Sequence, residues 1–417
     1  MAQRETKNIE YKETTTKTYL KTVSAFANFN DGVIIFGITD DGVIKGIANP
    51  NEECLKIENQ INDSIRPKPD YNLKINDDKT ITLKVKKGLQ TPYRYNGKCY
   101  KRNDSATIEV DSITENRLVL EGMNLSFEEL VSKDQNCTFS ILGESLKKTI
   151  NLENFNDDTL KSLNLLNKNG YNNAASLLSD KNAFPGIDIV IFGSNINEIR
   201  KRYTFSNISL LKQYFEVIKI FEEQYVIERI EGGFRKKYEI IPFEAFREAI
   251  ANAIIHRTYD IQVNTKVEMY NDKIIVSSPG GLMPEMNLSA FLNGKYSYLR
   301  NPILANVFHR LDIVEIFATG IKRINESYNE YELKPIFDVT DSYISITLPT
   351  KKEIELTTNE KKVLTFMNTS REYTRAELED ITCLKKDTLI RTLNSLLSKN
   401  LLIKSGKTSS IVYSKKM

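Results

Sequence analysis

The centre of the 417-residue chain carries a carboxylate, an amide and an imidazole at steps of four residues. These are Glu248, Asn252 and His256, within the stretch FEAFREAIANAIIHRTY. A helix would place them in a row on one face, and the small alanines beside them would leave room for a bulky group. The row is therefore either a solvated helix face or a surface that contacts a ligand, and the spacing alone leaves both open.

A helix over residues 243–259 would hold this row in place. Phe246, Ile250 and Ile254 recur at four-residue steps and, with Phe243 and Ala253, predict an apolar face opposite the polar one. We expect that apolar face to be buried.

Basic residues concentrate between residues 84 and 102, with three tyrosines interleaved. A surface that contacts a nucleic-acid backbone and stacks on bases requires this combination, although an ordinary solvated strand face is also compatible with it. The basic residues are Lys84, Lys86, Lys87, Arg94, Lys98, Lys101 and Arg102, and the tyrosines are Tyr93, Tyr95 and Tyr100.

A second basic cluster lies in the last segment of the chain. Residues 361–367, 375–381 and 385–400 predict three helices, the second N-capped by Thr374, and two short strands follow them. This order predicts a winged helix-turn-helix, and its local positive charge favours DNA as the partner over another protein. The residues predicted to contact nucleic acid here are Lys385, Lys386, Arg391 and Lys407.

The composition limits the classes of protein. The 58 basic and 55 acidic residues nearly cancel, so nucleic-acid binding must depend on local clusters. Two histidines and four separated cysteines exclude multi-histidine metal sites and suggest neither zinc nor disulfides, so oxygen ligands and Mg²⁺ or Mn²⁺ are favoured for any metal. No apolar run reaches the roughly 18 residues of a membrane span. We therefore predict a cytoplasmic protein without membrane contact.

The central motifs resemble the divergent GHKL-type ATP-binding domain of bacterial proteins often labelled RecG-like helicase. The phrases REAIANAIIHRTY, SSPGGLMP, LRNPILANVF and VEIFATGIKRI follow one another in that family's order. The resemblance implies that Glu248 positions an attacking water and that Asn252 holds magnesium beside ATP. The other nucleotide-binding residues that it implies are Ser278, Gly280, Gly281 and Gly320.

The sequence departs from this family at three positions. Ser278 stands where the family has an aspartate that reads adenine, Leu282 replaces a glycine of the same box, and Ala318 thins the second glycine box. Nucleotide binding and a purely structural role therefore both remain open. The chain also lacks the phosphate-binding P-loop motif of ATP-driven helicases, which disfavours that activity.

The first 120 or so residues resemble the Schlafen-type AlbA nucleic-acid-binding domain. The segments that carry this resemblance are IEYK, SAFANFNDGVIIFGITDDGVIKGI and CYKRNDSAT. In Schlafen nucleases a trio of carboxylates binds divalent metal for RNA cleavage, and the matching residues here are Glu5, Glu10 and Asp40. Relatives regarded as regulators are often acidic at the same positions, so the trio does not separate an enzyme from a binding protein.

These patterns predict an α+β multidomain chain. Helices are predicted over 18–28 and 52–65, a hairpin over 33–38 and 43–47, and strands over 71–75 and 80–85. The predicted divisions are a Schlafen-type AlbA domain with an α/β fold at 1–122, a helical and αβ adaptor at 123–242, a GHKL-like α/β sandwich at 243–350, and a winged helix at 356–417.

We predict from this a cytoplasmic DNA-binding transcriptional regulator, homo-oligomeric and modulated by ATP. The alternative is a metal-dependent endoribonuclease that cleaves tRNA or other structured RNA, for example in phage defence. Whether the protein is an enzyme, including a weak ATPase, is left open.

Overall fold

The chain divides into two compact units, Met1–Leu130 and Val131–Met417. Both contain helices and β-sheets, which confirms the predicted α+β multidomain class. Within the described residues, none of the helices has the length and apolar character needed to cross a bilayer. The computed structural model describes residues 5–39, 41–283, 286–294, 298–315, 319–352, 356–368, 371–399, 401–406 and 411–415.

The first unit alternates short strands with helices. Its strands are β1 Ile9–Lys12, β2 Gly32–Phe36, β3 Ile65–Arg66, β4 Tyr71–Ile75, β5 Ile81–Val85, β6 Arg94–Tyr95, β7 Tyr100–Asn103 and β8 Ala106–Glu109. Its helices are α1 Tyr19–Phe29, α2 Pro50–Ser64 and α3 Ser112–Gly122, and a 3-10 turn follows at Phe127–Glu129.

A four-stranded sheet in the order β1-β2-β5-β4 forms the centre of the first unit. β1 and β2 are parallel, and the other neighbours are antiparallel. Alternate side chains of β2, Ile34 and Phe36, are fully buried in one core with residues of α1 and α2. β2 begins at Gly32, against which the Phe26 ring of α1 packs. The position suits glycine because an added Cβ would lie 2.4 Å from that ring.

Most predicted elements of this unit are present. The helices predicted over 18–28 and 52–65 correspond to α1 and α2, and the strands over 71–75 and 80–85 to β4 and β5. The second half of the predicted hairpin is wrong, because residues 43–47 contribute a single bridge between Ile38 and Ile44 instead of a strand. Lys45 N and Gly46 N both donate to Gly37 O, at 2.9 and 3.0 Å, which folds this segment back on itself.

The second unit is larger and contains two sheets of more than two strands. Its strands are β9 Leu166–Asn167, β10 Gly170–Tyr171, β11 Ile187–Phe192, β12 Ile199–Phe205, β13 Val226–Glu231, β14 Phe234–Glu239, β15 Thr265–Met269, β16 Lys273–Pro279, β17 Ile336–Val339, β18 Tyr343–Pro349, β19 Glu372–Thr374, β20 Leu402–Ser405 and β21 Val412–Lys415. Its helices are α4 Ser140–Ile150, α5 Asp157–Ser162, α6 Asn173–Leu178, α7 Leu210–Tyr225, α8 Phe243–Ile255, α9 Leu288–Leu292, α10 Pro302–Arg310, α11 Gly320–Glu326, α12 Thr358–Phe366, α13 Arg375–Thr382 and α14 Lys386–Ser398.

A six-stranded sheet in the order β12-β11-β15-β16-β18-β17 organises the second unit. β11 and β15 are parallel, and the remaining pairs are antiparallel. α8 packs on β16 and contacts α7, where the rings of Phe246 and Phe221 stack with centroids 4.3 Å apart. Because β11 and β12 precede residue 242, this sheet contains strands from both sides of that predicted boundary. The four-part division stays a prediction.

The C-terminal segment follows the order α12, β19, α13, α14, β20, β21, with the three strands paired as β19-β21-β20. Leu389, Leu393 and Leu396 of α14 are buried in a core with α12 and α13. Thr374 caps α13 as predicted, accepting a hydrogen bond from Glu377 N at 3.3 Å. The three predicted helices are therefore confirmed within two or three residues at their ends.

Candidate nucleotide pocket and nucleic-acid surfaces

Part of the predicted polar row on α8 lines a cavity between this helix and the six-stranded sheet. Asn252 and His256 contribute to its wall, and Ser278 of β16 contributes from the sheet. The cavity measures about 100 Å³, several times the roughly 10–15 Å³ that one water molecule needs. Glu248, one turn earlier, is only 3% exposed and lies outside this wall.

Apolar side chains form most of the remaining wall, and a few polar groups are set among them. Small-molecule sites commonly have this composition, because apolar walls exclude water while the polar groups orient the ligand. The apolar residues are Val276, Leu282, Met283, Met286, Phe291, Ile321, Ile344 and Ile346, and Gly280 and Gly281 also border the cavity.

Gly320, the first residue of α11, approaches α8 very closely. An added Cβ would lie 2.8 Å from Asn252 Nδ2 and 3.0 Å from Glu248 Oε2. A side chain at this position would therefore displace both polar groups. The preceding residue, Thr319, has a buried Oγ1 with no hydrogen-bond partner among the described residues.

Glu248 is held between two arginines. Its Oε1 lies 3.0 Å from Arg247 Nη2 and 3.5 Å from Arg323 Nη1. Burial raises the pKa of Glu248 above its ordinary value, and the two guanidinium groups oppose that effect without cancelling it. A carboxylate with a raised pKa is better suited to accept a proton than an exposed one.

Arg300 joins the end of α8 to the glycine loop. Its Nη1 donates to His256 O at 3.0 Å and to Thr258 Oγ1 at 2.6 Å, and its Nη2 donates to Gly281 O at 2.7 Å. Burial, with a smaller contribution from the Arg300 charge, lowers the pKa of His256 to about 4. His256 is therefore a neutral imidazole at pH 7.

Asn301 completes this connection, since its Nδ2 donates to Ile255 O at 2.9 Å and to Arg257 O at 2.8 Å. The segment LRNP thus donates hydrogen bonds to main-chain carbonyl oxygens of the segment IIHRTY. No roles were assigned to Arg300 and Asn301 from the sequence. In the sequence, Arg300 and Asn301 stand directly before Pro302, which begins α10, and this pattern could have indicated their role.

Ser278 lies on β16 and lines the cavity. Its hydroxyl donates to Ala253 O at 2.8 Å, so its proton is used inside the fold. The Ser278 oxygen can still accept a hydrogen bond. No carboxylate is found among the described residues of the cavity wall.

The N-terminal carboxylate trio is only partly described. Glu5 Oε1 accepts a hydrogen bond from Tyr11 N at 2.9 Å. Glu10 is buried and bonded to Arg102, to Lys12 Nζ at 2.8 Å and to Thr22 Oγ1 at 2.7 Å. Asp40 lies outside the described residues, and the described residues contain no group of three acidic, histidine or cysteine side chains that could hold a metal.

The predicted basic surface between residues 84 and 102 is largely neutralised within the first unit. Arg94 pairs with Glu115 at 2.9 Å, Lys98 with Glu109 at 2.8 Å and Lys87 with Glu121 at 2.9 Å, and Arg102 pairs with Glu10. Arg102 does not lie on an exposed surface as predicted, because its side chain is 4% exposed and lines a cavity inside the unit.

Two of the three tyrosines predicted for this surface are also buried, whereas Tyr95 is partly exposed. Tyr93 and Tyr100 are 4% and 7% exposed, so they pack inside the unit and cannot stack on bases. Lys84 is exposed on β5. Lys86 is also exposed, and its Nζ lies 3.6 Å from Asp70 Oδ2. Lys101 is half-buried and lines a different cavity.

The second basic cluster is exposed at the beginning of α14. Lys385 is the N-cap residue, Lys386 begins the helix, and Arg391 follows on its exposed side. None of the three makes an ion pair with another described residue. Lys407 lies outside the described residues.

Comparison with known proteins identifies two parts of the chain. Residues 5–111 match the family "Schlafen, AlbA_2", and residues 263–348 match the family "Putative ATP-dependent DNA helicase recG C-terminal". The chain therefore contains a segment similar to the Schlafen-type AlbA family and a later segment similar to the RecG C-terminal family, as the sequence motifs indicated. α8, with Glu248 and Asn252, precedes the second matched segment.

A solved structure supports the fold over nearly the whole chain. The crystal structure of the DIP2311 protein from Corynebacterium diphtheriae aligns with a TM-score of 0.52 and 17% sequence identity, covering 98% of this chain and 92% of that one. This similarity concerns the fold alone. No match was found among curated proteins.

Proposed function

We propose that the protein is a DNA-binding transcriptional regulator with a C-terminal winged helix, and that nucleotide in the central cavity modulates its contact with DNA. The N-terminal Schlafen-type AlbA domain supports a nucleic-acid partner, DNA or structured RNA. The RecG-like domain supports an association with ATP. Homo-oligomerisation is part of the proposal, because dimeric readers contact two half-sites of an operator.

The exposed cations at the beginning of α14 are the observation that carries this proposal. The partial positive charge of a helix N-terminus disfavours Lys385 and Lys386 there, so these residues do not serve to stabilise α14. They do suit phosphate, and the N-terminal residues of a recognition helix are the ones that contact DNA in helix-turn-helix proteins. The order of helices and strands in this segment is the one expected of a winged helix.

A pair of double variants tests this contact. In gel-shift titrations with duplex DNA at several salt concentrations, Lys385→Gln/Lys386→Gln is expected to weaken binding at least tenfold. The slope of log affinity against log salt should decrease by about 0.9 for each lost phosphate contact. Lys361→Gln/Lys362→Gln removes two exposed charges from α12 and serves as the control. Equal affinity and slope for both variants would contradict the proposal.

The central cavity fits a nucleotide in several respects. Gly320 allows α11 to approach α8, Thr319 has an unsatisfied hydroxyl in the described structure, and Asn252 supplies an oxygen ligand for magnesium. Bound ATP would bring a polyphosphate charge and a hydrolysable bond. Glu248 is the residue proposed to position water, and the neutral His256 and Ser278 are proposed to border the base.

The endoribonuclease alternative is less well supported by the described geometry. Both carboxylate oxygens of Glu10 are bonded to cationic side chains of the same unit, Lys12 on one and Arg102 on the other. Lys12 and Arg102 therefore already neutralise the negative charge of Glu10, which a bound divalent cation would otherwise neutralise. The trio of Glu5, Glu10 and Asp40 therefore remains a prediction, and the regulator is our conclusion.

A further inference from the structure

A second cavity, of about 140 Å³, lies in the first unit beside the C-terminal turn of α1. One part of its wall is cationic and consists of Lys7, Lys101 and Arg102. Another part is aromatic and consists of Phe26 and the half-buried Phe29. Positive charge next to an aromatic ring that is only partly buried, as Phe29 is, is a combination that suits single-stranded nucleic acid.

Arg102 is the fixed component of this wall. Its Nη1 donates to Glu10 and, at 2.9 Å, to Thr107 Oγ1, and its Nη2 donates to Thr6 O at 3.1 Å. Its Nε is buried and has no hydrogen-bond partner among the described residues. A buried guanidinium N–H without an acceptor is unfavourable, and an anionic oxygen in the cavity would relieve it.

The balance of charge around the cavity also favours an anion. Lys7 and Lys101 make no ion pair with another described residue, whereas the charge of Arg102 is already opposed by Glu10. Lys12 lies 2.8 Å from the same carboxylate and adds a further positive charge. Asp111 acts electrostatically on Lys101, and the C-terminal turn of α1 contributes roughly half a negative charge, but together these are less than the charge of Lys7 and Lys101.

We propose that this cavity binds a phosphate group of a nucleic-acid strand, with the neighbouring base against Phe29. Arg102 Nε and the ammonium groups of Lys7 and Lys101 would donate to the phosphate oxygens. The inference rests on the proposed nucleic-acid function of the N-terminal domain and gives that function a site. A free phosphate ion offers the same oxygens, so the test distinguishes the two sources.

The test uses the full chain with Lys385, Lys386 and Arg391 changed to Gln, so that the C-terminal cluster does not contribute. Into this parent we introduce Lys7→Gln/Lys101→Gln or, as a matched control, Lys68→Gln/Lys74→Gln, which removes two exposed lysines of the same unit. Fluorescence anisotropy measures binding of a single-stranded RNA 12-mer. Thermal melting with and without inorganic phosphate measures binding of the free ion.

The cavity variant is expected to bind the 12-mer at least tenfold more weakly than the parent, and the control within twofold of it. Phe29→Leu should weaken binding of the 12-mer but leave any stabilisation by phosphate unchanged, because only the base contacts the ring. Arg102 is not substituted, since loss of its pair with the buried Glu10 would itself disturb folding. Circular dichroism melting confirms that each variant is folded.

Three results would overturn the inference in distinguishable ways. If the parent binds the 12-mer and the cavity variant binds it equally well, the site is wrong while the nucleic-acid function stands. If phosphate stabilises the parent and not the cavity variant, but no 12-mer binds, the site takes a free anion and the strand is excluded. If the parent binds neither, the cavity takes no phosphate and the inference is wrong, while binding of duplex DNA or structured RNA by the same parent would leave the proposed function standing.

Discussion

Asn252 and Glu248 lie one turn apart on α8 in different surroundings. Asn252 lines the cavity, whereas Glu248 is buried between Arg247 and Arg323. We expect Asn252→Ala to abolish nucleotide binding, because it removes the proposed magnesium ligand. Glu248→Gln should retain binding and lose any hydrolysis, because the amide keeps the volume of the carboxylate but cannot accept a proton.

Isothermal calorimetry with millimolar ATP and magnesium measures the binding of each variant, and phosphate release measures hydrolysis. Asn154→Ala, an exposed asparagine elsewhere in the second unit, is the control. Absence of binding heat from the unmodified protein would assign the cavity a structural role.

Glu360 is a buried carboxylate that links α12 to the end of α14. Burial alone would raise its pKa, but hydrogen bonds from Lys399 Nζ, Ser395 Oγ and Thr357 N outweigh burial and lower the pKa to about 2. Because this pKa is below the ordinary value, Glu360 stabilises the folded state fully above about pH 4.5 and loses that effect as the pH falls towards 2.

We expect Glu360→Gln to lower the free energy of unfolding at pH 7 by about 2 kcal/mol, the scale of a hydrogen bond to a charged group, because the amide does not attract the Lys399 ammonium as the carboxylate does. Urea denaturation at pH 7 and pH 3 measures this loss, and the variant should lose less stability between the two pH values than the unmodified protein. Glu372→Gln, at an exposed position, is the control. Equal acid sensitivity of Glu360→Gln and the unmodified protein would refute the assignment.

At the scale of elements, periodicity predicted α8 within a few residues of its observed end. It did not predict that Glu248, on the polar side of the helix, would be buried as well. Glu248 is 3% exposed because α11 returns to α8 through Gly320, more than sixty residues later in the chain. Such a contact has no signature in a local pattern. The tyrosines near residue 95 show the same limit, since aromatic residues suit a core as well as a stacking surface.

Arg300 provides a prediction about the loop between β16 and α10. Arg300→Lys is expected to lower the melting temperature by several degrees and to weaken nucleotide binding, because one ammonium cannot replace donors that reach His256 O and Gly281 O together. Differential scanning fluorimetry and calorimetry measure the two effects. Arg310→Lys, at an exposed position, should change neither. If the Arg300→Lys variant matched the unmodified protein in both measurements, these hydrogen bonds would not be what holds the loop.

At the scale of the whole molecule, the two compact units and the six-stranded sheet predict which fragments fold. The core around Phe26 and Ile34 consists only of first-unit residues, so fragment 1–130 is expected to melt cooperatively. Fragment 131–417 should do the same. A fragment of residues 243–350 should not fold, because it lacks β11, the strand that pairs with β15. Circular dichroism melting of the three fragments checks this, and a cooperative transition of 243–350 would restore the boundary predicted at residue 242.

The close approach of Gly320 to α8 has a genetic consequence. A single methyl group at this position would occupy the space beside Asn252 Nδ2, 2.8 Å away, and Glu248 Oε2, 3.0 Å away, and would leave the sequence of α14 unchanged. A deletion of the gene removes DNA binding and the proposed response to nucleotide together. An allele encoding alanine at residue 320 would separate these two properties. Under the proposed function, cells that carried it would keep the protein on DNA and lose the response to nucleotide, so the physiological signal could be identified by what such cells no longer sense.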